Sequence, residues 1–370
     1  PSPESADEVQ ALADQPLMPQ EIEAEPEAEP EDAVPREGWR FVEWQGWCAP
    51  QSVDPLCEMN ASAASVALWD SLHPDVNMPE LTAVFEPEGA LALYREQVEE
   101  VDQYLVDIEF SGSVLVSIGD DTLLARGYGL ADRAKGYTNK QNTRFRIASL
   151  TKPFTAASIM MLEERQLLST GDQICDYLDD CPAAWQAVTL HQLLSHTSGI
   201  PDLFRDIPTE EAFGLMWNFD VTQTSVLNTF LELPLEFSPG TEWEYSNSGY
   251  FLLGLVIEAV SGTSYSQFLE KNIFEPLGMS NTGASTVRRS QLAVGYDAGF
   301  ETPQINPIAT FSSGSVYSTV VDLRLWERAM HSDVLLSDST REKYLSAYVD
   351  TFCPGSCVGG QAYGWVRENW

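Results

Sequence analysis

The feature that most constrains this chain is a polar pair at the start of an apolar helical pattern. Ser149 and Lys152 stand three residues apart in "RIASLTKPFTAASIMMLEERQLL", residues 146 to 168. A separation of three places two side chains on one face of a helix, and Pro153 lies early enough in that helix to be tolerated. The stretch predicts either a serine with a lysine within reach or an ordinary helix start.

The composition allows a large core and disfavours several classes of partner. The 370 residues are 44% hydrophobic, which suffices for one large core or for two layers that share a cleft. The sequence has no run of about 18 apolar residues, so we expect no insertion into a membrane. The formal net charge of −36 disfavours nucleic acids and anionic lipid surfaces as partners.

Three segments differ in their composition. Residues 1–38 are rich in Glu, Pro and Ala, which predicts a disordered acidic linker that serves as a spacer or is a flexible terminus. Residues 39–88 form an arm with clustered tryptophans, which would bind a sugar or partner or dock on the domain of the same chain. Residues 89–370 have regular apolar patterning and are expected to form the main domain.

Six cysteines fall into three close pairs. The pairs are Cys48 with Cys57, Cys175 with Cys181, and Cys353 with Cys357. Short disulfide loops in an oxidising compartment suit this spacing better than zinc sites do, and unrelated buried thiols are the alternative. We therefore expect a secreted or periplasmic protein that the linker could tether to a surface.

The main domain alternates between strand-like and helix-like stretches. "GSVLVSI" and "TLLARGYGLAD" are predicted strands joined at Gly119-Asp120-Asp121. Helices are expected over four later stretches, 152–167, 188–195, 222–232 and 248–260. The segment "TFSSGSVYSTVVDLRLWERAM" predicts a small-residue turn followed by another helix. This order favours an α/β (α+β) layer with a helical insertion.

A second polar group stands at an element junction. Tyr245 and Asn247 follow a Pro-Gly turn and precede a long apolar helix. A serine hydroxyl needs a base, and a desolvated lysine can be one. A lysine ammonium could lower the pKa of the tyrosine, and the asparagine amide could hold a substrate carbonyl. A half-buried aromatic for Tyr245 and a helix cap for Asn247 are the structural alternatives.

Several spaced motifs together resemble those of a known group of proteins. They are SxxK at 149–152, YxN at 245–247, "FSGSVLV" with "GYGLADR", "LLSHTSGI", "EPLGMSNT" and "SSGSVYSTVVDLRLW". In this order they resemble the serine β-lactamase-like superfamily, over roughly residues 90–370. That group includes class C β-lactamases, D-alanyl-D-alanine carboxypeptidases, D-aminopeptidases and esterases. The resemblance implies a mixed, mostly antiparallel sheet flanked by helices, with a helical subdomain.

The resemblance also implies roles for individual residues. Ser149 would attack the acyl carbon, Lys152 would accept its proton, and Tyr245 would relay that proton to the leaving group and activate the deacylating water. Asn247 would orient the substrate, and the Ser149 N–H would supply half of the oxyanion hole. Neither a metal nor a cofactor is implied. His196 lies in a segment that is a structural turn in this family, so a Ser-His-Asp triad is the disfavoured alternative.

One family motif is not found in the sequence. In the superfamily, a motif near the C-terminus consists of Lys or His, then a small residue, then Gly. The candidates for its first position here are Lys271, Lys343 and His331, and none of them is followed by the required glycine. The sequence ends at "AYGWVRENW", which resembles the strand before that motif, so the C-terminal strands are expected to be absent from this chain. A fragment, a separate segment that completes the sheet, or a local replacement would explain this.

Two functions from different classes are compatible with these residues. The first is a serine hydrolase that acts through an acyl-enzyme on an ester or amide bond of a small-molecule or peptide substrate. The second is a non-catalytic cell-envelope binding or scaffold protein that keeps the fold. The complete Ser149, Lys152 and Tyr245 set favours the enzyme, because a retired site has no physical reason to keep an unpaired lysine beside a serine.

Overall fold

A computed structural model describes most of the chain in two compact units. The described residues are 39–45, 82–87, 90–284, 292–297, 299–353 and 357–368. Of these, residues 39–110 and 116–124 belong to one unit and the remainder belong to the other. No helix in these ranges is long and apolar enough to cross a membrane.

The smaller unit contains a strand pair and a long helix. Strands Trp39–Gln45 and Thr82–Pro87 pair antiparallel. The helix Ala90–Asp107 follows. The predicted strands Gly112–Ile118 and Asp121–Tyr128 form a two-stranded sheet, of which residues 116–124 belong to this unit and the rest to the larger one. The turn between them uses Gly119 with a φ of +54°, a conformation that favours glycine.

The larger unit is mainly helical, with short strands around the helices. Its α-helices are Thr151–Glu164, Leu190–Leu194, Thr209–Trp217, Gln223–Phe230, Asn247–Ser261, Tyr265–Leu269, Pro307–Gly314, Val320–Ala329 and Asp338–Leu345. Its strands are Leu130–Asp132, Tyr137–Thr138, Phe145–Arg146, Tyr296–Asp297, Phe300–Glu301, Tyr317–Ser318, Val349–Cys353, Cys357–Gln361 and Val366–Glu368. This mixture of helices and antiparallel strands agrees with the predicted fold class.

Two helices form the centre of the core. We call Thr151–Glu164 the lysine helix and Asn247–Ser261 the asparagine helix, after the residues discussed below. They pack on each other and on Pro307–Gly314. Their apolar side chains are almost completely buried, as shown by Phe154 and Phe251. Burial of such side chains is the main favourable contribution to folding, so these two helices fix the scaffold that carries the polar groups.

Two glycines allow the backbone to come close to these helices. A Cβ on Gly254 of the asparagine helix would lie 2.0 Å from the Ser312 hydroxyl oxygen. Gly364 has a φ of +79°, and a Cβ there would lie 2.8 Å from the backbone nitrogen of Pro153. Larger residues would push the segments around Ser312 and Gly364 away from the two central helices.

The helix predictions are confirmed for the four stretches between residues 152 and 260, with boundaries that differ by a few residues. The turn predicted at the start of "TFSSGS" is wrong. Its first residues belong to the helix Pro307–Gly314, which is kinked at Phe311, where φ is +33° and ψ is −130°. Small residues are typical of turns, and here they let the kinked helix approach Gly254.

One of the three cysteine pairs is described completely. Cys175 and Cys181 form a disulfide, as their spacing predicted. Cys48 and Cys57 lie outside the described residues, as does Trp47, and only the backbones of Trp39 and Trp44 are described. The strand pairing makes Cys353 the partner of Cys357, but their side chains are not described, so that bridge remains a prediction. The boundaries at residues 38 and 88 also remain predictions.

Candidate active site

Ser149 lies in a tight turn just before the lysine helix. The turn Ala148–Leu150 is a short 3₁₀ helix, and Ala148 has a φ of +46°, which is unfavourable for a residue with a Cβ. The segment around Val316 holds the turn on both sides. The Ile147 N–H donates to the Val316 carbonyl at 3.0 Å, and the Val316 N–H donates to the Thr151 hydroxyl at 3.0 Å. The turn leaves Ser149 exposed.

Lys152 is buried beneath this serine. Only 2% of its surface is exposed, although it carries an amine that is normally charged. The Lys152 ammonium donates to the Ser149 hydroxyl at 3.3 Å, to Asn247 Oδ1 at 2.9 Å and to the Ser313 carbonyl at 3.0 Å. These three acceptors match the three donors of a lysine. The structure therefore brings the predicted serine and lysine together.

Tyr245 contacts the same serine from the opposite element. Its hydroxyl lies 2.8 Å from the Ser149 hydroxyl oxygen, and either atom can donate in this hydrogen bond. The tyrosine ring lies 4.7 Å from the Lys152 nitrogen and 4.6 Å from the His196 ring, measured to the ring centroids. The tyrosine is thus held by its ring as well as by its hydroxyl.

Asn247 begins the asparagine helix, but it does not cap it. The cap is Ser246, whose hydroxyl accepts a hydrogen bond from the Gly249 N–H at 3.2 Å. The Asn247 side chain is therefore available for other contacts. Its oxygen accepts from Lys152, and its nitrogen donates to Asp202 Oδ2 at 2.9 Å.

Asp202 is the residue of this site that sequence reasoning missed. Its buried carboxylate accepts the Asn247 N–H at 2.5 Å, in addition to the amide group. The N–H groups of Phe204 and Arg205 donate to the other carboxylate oxygen at 2.8 and 3.0 Å. These bonds give both carboxylate oxygens hydrogen-bond donors and fix which end of the asparagine amide meets Lys152. In the sequence, Asp202 is one acidic residue among 56, and only its place just after "HTSGIP" could have drawn attention to it.

Burial sets the protonation of the two groups beside Ser149. It lowers the pKa of Lys152 from 10.5 to about 7, although the charge of Asp202 acts in the opposite direction. Burial also raises the pKa of Tyr245 above its usual value, partly offset by the hydrogen bond from Ser149. The expectation that the lysine lowers the pKa of the tyrosine is therefore contradicted. A substantial fraction of Lys152 is neutral at pH 7, and Tyr245 keeps its proton.

His196 supports the tyrosine segment and is not placed as a base. Its Nδ1 accepts the Ser246 N–H at 3.1 Å, and its ring packs at a tilt against the rings of Tyr245 and Tyr250. Burial and the nearby charge of Lys152 lower its pKa to about 3, so it remains neutral at physiological pH. These contacts agree with the structural turn that the resemblance implied.

The arrangement has the parts that nucleophilic catalysis requires. An exposed hydroxyl touches a buried amine with a lowered pKa and a phenol that keeps its proton. Such a set can take a proton from the serine on one side and give a proton to a departing group on the other. The Ser149 N–H, at the start of a helix, is also suited to stabilise a developing negative charge.

Comparison with known proteins identifies the family. The beta-lactamase family model matches residues 101–370. The chain belongs to the beta-lactamase family, within the serine β-lactamase-like superfamily. It is thus a member of a family of serine hydrolases, as the motifs suggested.

Three relatives show how far the similarity extends. The chain is 31% identical over 292 residues to penicillin-binding protein 4* of Bacillus subtilis, covering 70% of this chain and 60% of that protein's length. A penicillin binding protein from Bacillus halodurans has a TM-score of 0.64 at 30% identity, over 73% of this chain and 83% of the other. The D-amino acid amidase of Ochrobactrum anthropi SV3 has a TM-score of 0.62 at 25% identity, over 72% and 77%.

Proposed function

We propose that this protein is a serine acyl hydrolase that forms an acyl-enzyme on Ser149. The observation that carries the proposal is the pair of hydrogen bonds to its hydroxyl, from Lys152 at 3.3 Å and with Tyr245 at 2.8 Å. The buried position of Lys152 supports its role as a base, because burial lowers its pKa to about 7. An amine at its usual pKa would be almost entirely protonated at neutral pH.

Acylation would use these groups in sequence. Neutral Lys152 takes the proton of the Ser149 hydroxyl while the serine oxygen attacks the acyl carbon and forms a tetrahedral intermediate. The bond to the leaving group then breaks, and Tyr245 gives its proton to that group. Lys152 returns the serine proton to the tyrosine oxygen, so the proton balance closes with Tyr245 and Lys152 in their starting states.

Deacylation would run through the same groups in reverse. A water molecule attacks the ester carbon of the acyl-enzyme and gives its proton through Tyr245 to Lys152. The Ser149 oxygen leaves and takes a proton back, which releases the carboxylic acid. Because the same base serves both half-reactions, one ionisation near pH 7 would control each of them.

Asn247 and Asp202 would act differently in this scheme. The Asn247 amide contacts the base directly, and we propose that it also orients the substrate. Asp202 would be a positioning residue, because it is linked to the reacting groups through Asn247 and acts on Lys152 and Tyr245 by its charge. The Ser149 N–H would supply one oxyanion donor.

The relatives suggest the class of substrate. Their names refer to penicillin binding and to D-amino acid amides. We propose that this chain accepts small acyl substrates with an amide, lactam or ester bond. The Cys175–Cys181 disulfide supports the further proposal that the protein works in the periplasm or after secretion, where disulfides persist.

Hydrolysis of an activated ester tests the proposal. The substrate p-nitrophenyl acetate releases a coloured product, so initial rates can be measured for the wild type, Ser149→Ala and Tyr245→Phe. We expect Ser149→Ala to lose at least about a thousandfold in kcat/KM, as removal of a nucleophile does. Ser339→Ala, an exposed serine on another helix, is the matched control. Equal rates for Ser149→Ala and the wild type would refute the proposal.

A further inference from the structure

A cavity on the larger unit has an unusual charge for this protein. It has a volume of about 430 Å³, within the range of small-molecule sites. Arg133 and Arg146 both line it, and none of the described lining residues is acidic. Acidic residues outnumber basic ones by 56 to 20 in the chain. Two arginines without a carboxylate around one cavity are therefore unexpected from composition.

Two polar atoms of the lining residues lack a partner in the described part of the chain. Arg146 Nη2 and Asn139 Oδ1 are buried and make no hydrogen bond to any residue that the structure describes. The other groups of both side chains are held. Arg146 Nη1 donates to the Ser315 carbonyl at 2.5 Å, and Asn139 Nδ2 donates to the Tyr128 carbonyl at 2.8 Å. Both residues line the cavity, and a buried polar atom left unpaired is costly, so a ligand whose binding shifts these two side chains would supply one missing acceptor and one missing donor.

The other residues that line the cavity indicate which further groups its ligand should carry. Leu130, Phe145 and Ile305 give the cavity an apolar wall. Arg133 lies over the Tyr296 ring with 4.4 Å between its guanidinium carbon and the ring centroid, which holds this exposed arginine at the rim. A guanidinium fork matches a carboxylate, and the asparagine oxygen requires a hydroxyl or an N–H.

We propose that this cavity binds a small organic carboxylate that carries a hydrogen-bond donor and an apolar side group. The carboxylate would lie against Arg133 and Arg146, the donor would meet Asn139 Oδ1, and the side group would rest on the apolar wall. An α-hydroxy acid or an N-acylated amino acid has this combination of groups.

The site would also be connected to the candidate active site. Arg146 is three residues before Ser149. Its guanidinium holds the Ser315 carbonyl, two residues after Ser313, whose carbonyl accepts from Lys152. A ligand on Arg146 would thus contact a side chain that ties the serine segment to the segment that holds the lysine.

Calorimetric titration with 3-phenyllactate tests the proposal without using catalytic activity, so its result is independent of the proposed function. We expect one molecule to bind per chain. 3-Phenylpropionate, which lacks the hydroxyl, and phenyllactamide, which lacks the charge, should each bind about tenfold more weakly or worse. Equal binding of the three compounds would overturn the proposal, and so would no binding of phenyllactate.

Variants locate the binding. Arg133→Gln and Arg146→Lys should each weaken phenyllactate binding at least about tenfold, because each removes a guanidinium fork. Arg95→Gln removes one exposed arginine from the helix Ala90–Asp107 and should leave binding unchanged. Circular dichroism confirms that each variant is folded. Phenyllactate binding that survives both cavity substitutions would lie elsewhere and would refute the assignment.

Discussion

Replacement of Lys152 by methionine is expected to remove a specific pH dependence from the stability of the protein. Methionine keeps a long side chain but cannot take up a proton. In the folded protein, burial lowers the pKa of Lys152 from 10.5 to about 7. Between these two values, the unfolded chain binds a proton at this position and the folded chain does not, so the wild type gains stability as the pH rises.

The magnitude follows from the size of this shift. Each pKa unit corresponds to about 1.4 kcal/mol, so a fall from 10.5 to about 7 makes the buried amine cost about 5 kcal/mol at and below pH 7. The penalty decreases as the pH rises towards 10.5 and is then lost. Between pH 6 and pH 9, the free energy of unfolding of the wild type should rise by about 3 kcal/mol relative to that of Lys152→Met.

Urea denaturation at a series of pH values measures this difference. Lys152→Met also leaves Asn247 and Ser313 without their donor, but that loss changes the stability by an amount that does not depend on pH in this range. The slope of the difference therefore isolates the titration of the lysine. Lys271→Met, which changes an exposed lysine, should follow the wild type. If the free energies of unfolding of the wild type and Lys152→Met differ by a constant amount from pH 6 to pH 9, the lowered pKa of Lys152 is refuted.

Three further predictions concern the base, its positioning residue and the packing beneath it. The kcat/KM for an activated ester should fall about tenfold per pH unit below pH 7, as neutral Lys152 is lost; a flat profile would exclude it as the base. Asp202→Asn should reduce kcat/KM at pH 8 about tenfold. It should also move the acid limb of the pH profile to lower pH, because the carboxylate raises the pKa of Lys152. An acid limb that does not move would contradict the positioning role of Asp202. Gly254→Ala should lower the free energy of unfolding by about 2 kcal/mol, since its Cβ would lie 2.0 Å from Ser312. Gly214→Ala, with open space around its Cβ, should not destabilise the protein; equal effects would refute this reasoning.

Periodicity and local spacing in the sequence predicted much of the fold and half of the candidate site. The central helices were predictable because their apolar residues repeat with helical spacing over more than ten positions. Ser149 and Lys152 were predictable as a pair because they stand three positions apart at the start of a helix. The kinked helix Pro307–Gly314 was not, because its small residues favour turns locally and its helical form depends on packing against Gly254.

The other half of the candidate site depends on contacts between distant parts of the chain. Tyr245 lies 96 residues after Ser149, and its place beside the serine followed from the motif resemblance and not from spacing. Asp202 was missed because its importance lies in what surrounds it. Its carboxylate accepts hydrogen bonds from N–H groups of its own turn and of Asn247. In an acidic sequence, nothing distinguishes such a residue from a solvated aspartate. The rise in the pKa of Tyr245 likewise required knowledge of its burial.

The central claim is that Ser149 becomes acylated, and intact mass spectrometry tests it most directly. The protein and its Ser149→Ala variant would be incubated with a penicillin and with a fluorophosphonate, and peptide mapping would locate any added mass. We predict one adduct per chain on the peptide that contains Ser149, and none on Ser149→Ala. A folded wild-type protein that gains no mass from either reagent, or an adduct that persists in Ser149→Ala, would contradict the account.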